Sequence, residues 1–153
     1  MRLELTSPAF STGGTIPKKH TCEGANTSPA LTWTEVPAGT RTLALVVDDP
    51  DAPGGTWVHW VAWNIPATAR GLPEAVSPTD AMLQQGQNDF RAIGYGGPCP
   101  PRGHGPHRYF FRLYALDAPL TLPPTTTRAT LDAALAGHVL ATAELMGTYL
   151  RDR

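Results

Sequence analysis

The sequence has few charged residues and no long apolar run. Asp, Glu, Lys and Arg make up only 16% of the 153 residues, and the formal net charge is −1. This charge argues against nucleic-acid binding, because proteins that bind nucleic acids usually present a basic surface. No stretch approaches the ~18 apolar residues of a membrane-spanning helix, and residues 1–5 lack the apolar core of a signal peptide. We therefore expect a cytoplasmic protein without a lipid anchor.

Cysteine is also scarce, since Cys22 and Cys99 are the only two. They form neither a Cys-x-x-Cys pair nor a zinc-finger spacing, which argues against a zinc site built on thiolates. Two interpretations stay open. Both residues are free buried thiols, which the reducing cytosol favours, or they form one disulfide that joins an early loop to a later Gly/Pro-rich loop.

Turn-forming residues are abundant, with 15 glycines and 16 prolines. This composition is typical of many turns and few long helices. Together with 41% hydrophobic residues, it predicts one mainly β domain over residues 1–153 with a real core. Short runs of apolar or alternating residues predict strands over residues 2–6, 31–34, 42–47, 56–65 and 107–116.

The strand over residues 56–65 is apolar on both faces, which predicts that it is covered on both sides. Strict alternation places His59 on one face with Trp57 and Trp63, and Trp60 on the other. His59 is therefore expected at a partly desolvated position.

The last third of the chain changes period. Leu131 and Leu135 recur at helical spacing, Thr127 can cap a helix, and Gly137 can end it. Polar and apolar residues then alternate over residues 139–150, which favours a closing strand. A second helix is the alternative, because the same segment contains good helix formers.

Polar side chains interrupt this apolar pattern where three predicted strands begin or end. The candidate constellation, backed by the loop 96–105, is Asp49, Asp51, His59, His107 and Tyr109. A histidine can donate to a phosphate oxygen, and N–H groups of a Gly-rich loop can converge on the same anion. An aspartate there can orient an imidazole or meet the cationic part of a zwitterionic ligand.

Each residue also has a simpler explanation when it is taken alone. The sequence Asp49-Pro50-Asp51 is typical of a turn, and His59 can be a satisfied core histidine. The remaining histidines are assigned to surface or loop positions: His20, His104 and His138. Because several such residues are expected beside one Gly/Pro-rich loop, a shared binding site explains them better than a set of unrelated turn residues does.

Other chemistries find less support. Two Asp and two His can bind a divalent cation, but no local chelating spacing is present. No Gly-x-Ser-x-Gly motif occurs, and Cys99 is the only tempting nucleophile. We expect no catalytic residue, no metal and no cofactor.

Two composite motifs follow each other along the chain. Residues 49–53 (DPDAP) precede 57–60 (WVHW), and residues 94–101 (GYGGPCPP) precede 107–109 (HRY). Further matching segments are residues 21–24, 28–33 and 143–149. Over nearly its whole length the chain resembles the phosphatidylethanolamine-binding protein (PEBP) family, in particular the bacterial and archaeal Raf-kinase-inhibitor-like branch.

The resemblance implies an antiparallel β-sandwich with one or two short peripheral helices. It also implies non-enzymatic binding of phosphate, acetate or a phospholipid headgroup such as phosphoethanolamine. With Gly97 added from the Gly/Pro-rich loop, the expected ligand-binding residues are Asp49, Asp51, Trp57, His59, Gly97, Pro100, Pro101, His107 and Tyr109. A cis peptide at Ala52–Pro53 would fit the family's tight turn.

Eukaryotic relatives inhibit kinases or proteases. The alternative function is therefore an inhibitor or regulator of a protein partner, acting through the rim of the same pocket. Partner surfaces need not transfer with a pocket, and the sequence leaves open whether the protein is a monomer or a homodimer.

Overall fold

The computed structural model describes residues 2–152, which form two antiparallel sheets and one short α-helix. The strands are β1 (Leu5–Thr6), β2 (Leu31–Trp33), β3 (Thr42–Asp49), β4 (Trp57–Pro66), β5 (Gly71–Leu72), β6 (Gln84–Gln85), β7 (His107–Leu116) and β8 (Val139–Tyr149). The helix α1 spans Arg128–Leu135, and a 3-10 turn spans Lys18–His20. The smaller sheet has the order β1-β2-β5 and the larger one β6-β4-β3-β7-β8. The predicted mainly β architecture with a peripheral helix is confirmed.

The larger sheet is covered on both faces. On one face its side chains pack against the smaller sheet, in a cluster that includes Trp33 of β2 and Phe111 of β7. On the other face Leu131 and Leu135 of α1 pack against β3. All eight residues of β3 are buried, which explains why residues 43–47 form a continuous apolar run rather than an alternating pattern.

A β-bulge in β4 changes which face its residues occupy. Val47 pairs with Trp60 while the next residue of β3 pairs with Val58, so His59 is an extra residue. Trp60 therefore belongs to the cluster between the two sheets, whereas Trp63 packs in the cluster on the α1 side. The prediction that His59 shares a face with Trp63, opposite Trp60, is wrong, because a bulge resets the two-residue period.

The C-terminal predictions are confirmed. The helix α1 follows Thr127, although the Thr127 side chain makes no capping hydrogen bond. Gly137 has φ +83°, a conformation that glycine adopts without the steric cost of a Cβ. Of the two alternatives for residues 139–150, the strand is correct, since β8 pairs with β7 along its length.

A disulfide joins Cys22 to Cys99 across 77 residues, so the free-thiol alternative is wrong. The bridge attaches the Gly/Pro-rich loop, residues 94–106, to the segment after the 3-10 turn. His20, which was assigned to a surface or loop position, lies in that turn and is fully buried. The loop is fixed further by the N–H of Cys22, which donates to Pro98 O at 3.1 Å. Within residues 2–152, no helix is long and apolar enough to cross a membrane.

Candidate ligand-binding site

The antiparallel order places the C-terminal end of β3 beside the N-terminal ends of β4 and β7. A cavity of about 220 Å³ lies at this edge of the larger sheet. It is lined by Asp49, Ala52, Pro53, Trp57, His59, Phe90, Cys99, Pro100, Pro101, His107 and Tyr109. The sheet thus brings together most of the predicted site residues, but Asp51 and Gly97 are not among those that line the cavity.

The floor of the cavity holds a buried aspartate–histidine pair. The Nδ1 of His107 lies 2.7 Å from Oδ2 of Asp49, and the two side chains are only 2% and 4% exposed. The backbone N–H of Asp51 donates to the other carboxylate oxygen of Asp49 at 2.8 Å. Asp49 therefore orients the imidazole of His107, one of the two roles that the sequence predicts for an aspartate.

The bulge residue His59 presents a lone pair. Its Nδ1 donates to the carbonyl oxygen of Gly96 at 2.7 Å, so Nε2 is an acceptor in the neutral ring. Burial lowers the pKa of His59, although the hydrogen bond to Gly96 and the charge of Asp49 oppose this effect. His59 is therefore neutral near pH 7.

Tyr109 contributes a hydroxyl whose hydrogen-bonding capacity is unused. The side chain is buried, and its OH has no hydrogen-bond partner in the described part of the chain. Burial, with the charge of Asp49 and an interaction with its carboxylate, raises the pKa of Tyr109, so the group stays protonated and can donate. A buried hydroxyl without a partner costs about 1–3 kcal/mol, and a bound ligand that accepts from it would remove that cost.

Asp51 turns away from the cavity. Its carboxylate accepts from Nε of Arg108 at 2.9 Å and from Nη2 at 2.8 Å. This bidentate pairing lowers the pKa of Asp51 from 3.8 to about 2. Asp51 contributes to the site through its backbone N–H, and its side chain has no direct role in the cavity.

The Gly/Pro-rich loop forms a wall, but the N–H groups of Gly96 and Gly97 are already occupied. Gly96 donates to the backbone oxygen of His59 at 2.9 Å, and Gly97 donates to Oδ1 of Asn26 at 2.8 Å. These two N–H groups therefore do not converge on an anion, contrary to the expectation from sequence. The Ala52–Pro53 peptide opposite is trans, so the cis isomer implied by the resemblance is wrong.

Sequence reasoning missed two residues. His104 is exposed, and its Nδ1 lies 2.6 Å from Nε2 of His107, which extends the Asp49–His107 pair to the surface. The three-residue spacing His104-x-x-His107 across a Gly-Pro turn was the available signal. Phe90 lies in a turn and packs edge-on against His59 at a centroid distance of 5.3 Å. No local pattern pointed to this contact.

The mouth of the cavity is apolar. Trp57 and Phe90, which are 38% and 43% exposed, meet edge-to-face with ring centroids 5.4 Å apart. Neither lysine nor arginine is among the residues of the described chain that line the cavity. Likewise, no three of its His, Cys, Asp and Glu residues lie so that they could hold a metal ion together. The site can therefore hold a small ligand with its polar group on the floor and its apolar part at the mouth.

Comparisons with known proteins identify the family of the chain. The sequence profile described as "Phosphatidylethanolamine-binding protein" matches residues 6–150. A UPF0098 protein of Aquifex aeolicus is 47% identical over 153 residues, covering 98% of this chain and 90% of that protein. A UPF0098 protein of Methanothermobacter thermautotrophicus is 47% identical over 152 residues, covering 97% and 99%.

Solved structures agree as well. A PEBP homologue from Chlamydia trachomatis superposes with a TM-score of 0.91 at 42% identity, covering 99% of both chains. Escherichia coli YbcL, described as a member of the mammalian PEBP family, gives a TM-score of 0.91 at 38% identity, covering 98% of this chain and 99% of that one. The chain therefore belongs to the phosphatidylethanolamine-binding protein family, in its bacterial and archaeal UPF0098 branch.

Proposed function

We propose that the protein binds a small phosphate-type anion, free or as a phospholipid headgroup, in the cavity beside His59 and His107. The observation that carries this proposal is the buried hydroxyl of Tyr109, which has no partner within residues 2–152 and lies on the cavity wall. Buried polar groups are nearly always hydrogen-bonded in native proteins. A ligand oxygen that accepts from this hydroxyl would satisfy it.

The carboxylate of Asp49 does not rule out an anionic ligand. His107 and the backbone N–H of Asp51 both donate to it, and these hydrogen bonds spread its negative charge over their donors. A ligand that itself carries a proton can donate to the oxygen lone pairs that remain. The cavity therefore suits a group that both accepts and donates, which is the case for a hydrogen phosphate.

The apolar mouth supports a ligand with an organic part. Trp57 and Phe90 stand beside Pro53, Pro100 and Pro101 at the entrance. Aromatic and proline rings give a rigid contact surface that loses little conformational entropy on binding. An ethanolamine or glycerol unit attached to the phosphate would lie against this surface.

The proposed binding involves no catalysis. Cys99, the one nucleophile considered from sequence, is held in the disulfide. Both ring nitrogens of His107 lie within hydrogen-bonding distance of other side chains, Asp49 and His104. A hydrolase would need an activated nucleophile beside a base, and the cavity lining offers no serine or threonine for that role.

Calorimetric titration with phosphate and phosphoethanolamine tests the proposal. Tyr109→Phe removes one hydroxyl and should weaken binding about 10- to 150-fold, since a hydrogen bond to a charged group contributes about 1.5–3 kcal/mol. Tyr114→Phe removes a hydroxyl from the other face of the same strand and is the matched control. No binding to the wild-type protein, or equal binding to the Tyr109→Phe variant, would count against the proposal.

A second candidate is an inhibitor or regulator of a kinase or protease that acts through the mouth of the cavity. The exposed side chains of Trp57 and Phe90 favour it, because exposed aromatic residues are enriched at protein interfaces. Trp57→Ala should then abolish inhibition of the partner while phosphate still binds. If this variant still inhibits the partner, the mouth of the cavity is not part of the interface.

A further inference from the structure

We infer that the cavity selects oxyanions that carry a proton, such as the hydrogen phosphate group of a phosphomonoester, over oxyanions of similar shape that carry none. This inference rests on the proposed function and narrows its ligand class. It follows from the hydrogen-bonding capacity that remains on the cavity floor after the contacts within the protein are counted.

The acceptors on the floor come from two strands. Asp49 at the end of β3 has two oxygens, each already accepting one N–H, and each keeps a further lone pair. His59 of β4 donates through Nδ1 to a backbone carbonyl, so its Nε2 offers a lone pair. Neither group can donate a hydrogen bond to a ligand in these protonation states.

The donors are fewer. The hydroxyl of Tyr109 in β7 has no hydrogen-bond partner within residues 2–152. His107 uses Nδ1 for Asp49, and its Nε2 lies 2.6 Å from Nδ1 of His104. The carboxylate of Asp51, in the turn after β3, is directed to Arg108 rather than to the floor. The titratable side chains that surround a ligand therefore offer it two acceptors and one donor, and Trp57 at the mouth can add only its indole N–H.

The carboxylate of Asp48 does not change this balance of donors and acceptors. Asp48 points to the opposite face, where it pairs with Arg112 and Arg128. These two arginines are therefore separated from the cavity by the larger sheet and already have a counter-ion. Neither lysine nor arginine is among the described residues that line the cavity.

An oxyanion without a proton would place its lone pairs against the carboxylate of Asp49. That contact is repulsive, and burial strengthens it because the surroundings screen charge poorly. A hydrogen phosphate instead donates its P–OH to Asp49 or to Nε2 of His59, a charge-assisted bond, and accepts from Tyr109. The selectivity between oxyanions therefore depends on whether the oxyanion carries a proton, and not on its shape.

Two consequences can be measured. The second pKa of a phosphomonoester is about 6, so at pH 8 most of the free ligand is a dianion and binding should take up close to one proton. A phosphodiester, such as the phosphate of an intact phospholipid, has no proton on its ionised group in the neutral range. The inference therefore favours a free phosphomonoester over an intact phospholipid as the source of the phosphate.

Calorimetry at pH 8 in three buffers of different ionisation enthalpy measures the proton uptake of the wild-type protein directly. The probes are phosphoethanolamine, its sulfate analogue 2-aminoethyl sulfate, and glycerophosphoethanolamine as the diester. Phosphoethanolamine should bind with uptake of close to one proton. The two ligands whose oxyanion carries no proton should bind at least about 10-fold more weakly, because they face the Asp49 carboxylate with an oxyanion that cannot donate to it.

Asp49→Asn replaces a carboxylate on the cavity floor by an amide, which can donate a hydrogen bond to the ligand. This variant should bind the sulfate analogue more tightly than the wild type does, with proton uptake lost for phosphoethanolamine. Asp117→Asn is the matched control, since it removes a carboxylate from an exposed pair with His138, and it should leave affinity and proton uptake unchanged. Thermal unfolding checks that each variant is folded, and the proton count of the wild type does not depend on any variant.

The outcomes separate the two proposals. If phosphoethanolamine and the sulfate analogue bind equally and without proton uptake, the selectivity is refuted while anion binding stands. If none of the three ligands binds, the proposed function fails, and the selectivity fails with it.

Discussion

Reduction of the disulfide should destabilise the protein strongly without unfolding it under native conditions. Cys22 and Cys99 close a loop across 77 residues. In the chain-entropy account of disulfides, a loop of this length removes unfolded-state entropy equivalent to about 4.5 kcal/mol at 25 °C. Native disulfides typically contribute about 2–4 kcal/mol, and we expect the upper part of this range.

The reduced protein should stay folded because other contacts hold the same loop. The N–H of Cys22 donates to Pro98 O, Tyr95 OH donates to the backbone oxygen of His20 at 2.7 Å, and Gly97 donates to Asn26. Cys99 itself lines the cavity. Ligand binding would then have to order a looser wall, so affinity should fall several-fold.

Urea unfolding of the oxidised and reduced protein measures this effect. A loss of 2–4.5 kcal/mol lowers the midpoint by roughly 1–2 M for an m-value near 2 kcal/mol/M. The double variant Cys22→Ser/Cys99→Ser should match the reduced protein and should not respond to reductant. An unchanged midpoint in protein whose thiols are shown by alkylation to be fully reduced would refute the reasoning.

Three further predictions concern charges and one glycine. Asp51→Asn should make unfolding less sensitive to acid: the pKa of Asp51 is lowered from 3.8 to about 2 by Arg108, so its contribution is complete above pH 4 and is lost as the pH falls from 4 to 2. The pair is partly exposed, so this contribution is below about 1 kcal/mol, and urea midpoints over this pH range would reveal it. Asp48→Asn should lower the free energy of unfolding by about 3 kcal/mol, because it leaves Arg112 and Arg128 without their buried counter-ion. Asp132→Asn, at an exposed ion pair, is the control and should lower it by less than about 0.5 kcal/mol. Equal urea midpoints for the two variants would contradict this prediction. Gly97→Ala would place a Cβ 2.2 Å from the backbone oxygen of His20, so it should displace the loop and lower both thermal stability and phosphate affinity, whereas an unperturbed variant would show that the loop adapts freely.

Regular alternation made the strand β7 predictable from sequence. Its residues His107 and Tyr109 face the cavity side, and Arg108 and Arg112 lie on the other face, as the two-residue period predicts. The helix α1 was predictable for the same reason, since Leu131 and Leu135 recur at helical spacing and become buried. Local periodicity carries this information because it reflects which side chains can be buried together.

Other features depended on contacts that the sequence does not encode locally. The bulge at His59 became visible only in the pairing of β4 with β3, and it decides that Trp60 packs on the same side of the sheet as the cavity. The direction of Asp51 was set by Arg108, 57 residues later. His104 resembled a loop residue, because its three-residue spacing from His107 across a Gly-Pro turn indicates contact only once the conformation of that turn is known.

The disulfide shows a different limit. Composition and spacing left both thiol states open, and the expected reducing compartment favoured the free form. A disulfide requires the two Cα atoms to come within about 7 Å of each other, and here they are 5.4 Å apart. Only the three-dimensional fold establishes that distance, and the cytoplasmic location stays a prediction.

The central claim is that the cavity floor binds a phosphate-type ligand through Tyr109, and a crystal structure grown with phosphoethanolamine tests it most directly. The account predicts the phosphate between His59 and His107, with one oxygen accepting from the Tyr109 hydroxyl at about 2.7 Å and another within hydrogen-bonding distance of Asp49. Two results would contradict it. One is a cavity that holds no phosphate at ligand concentrations that saturate binding in calorimetry, and the other is a phosphate bound elsewhere on the protein.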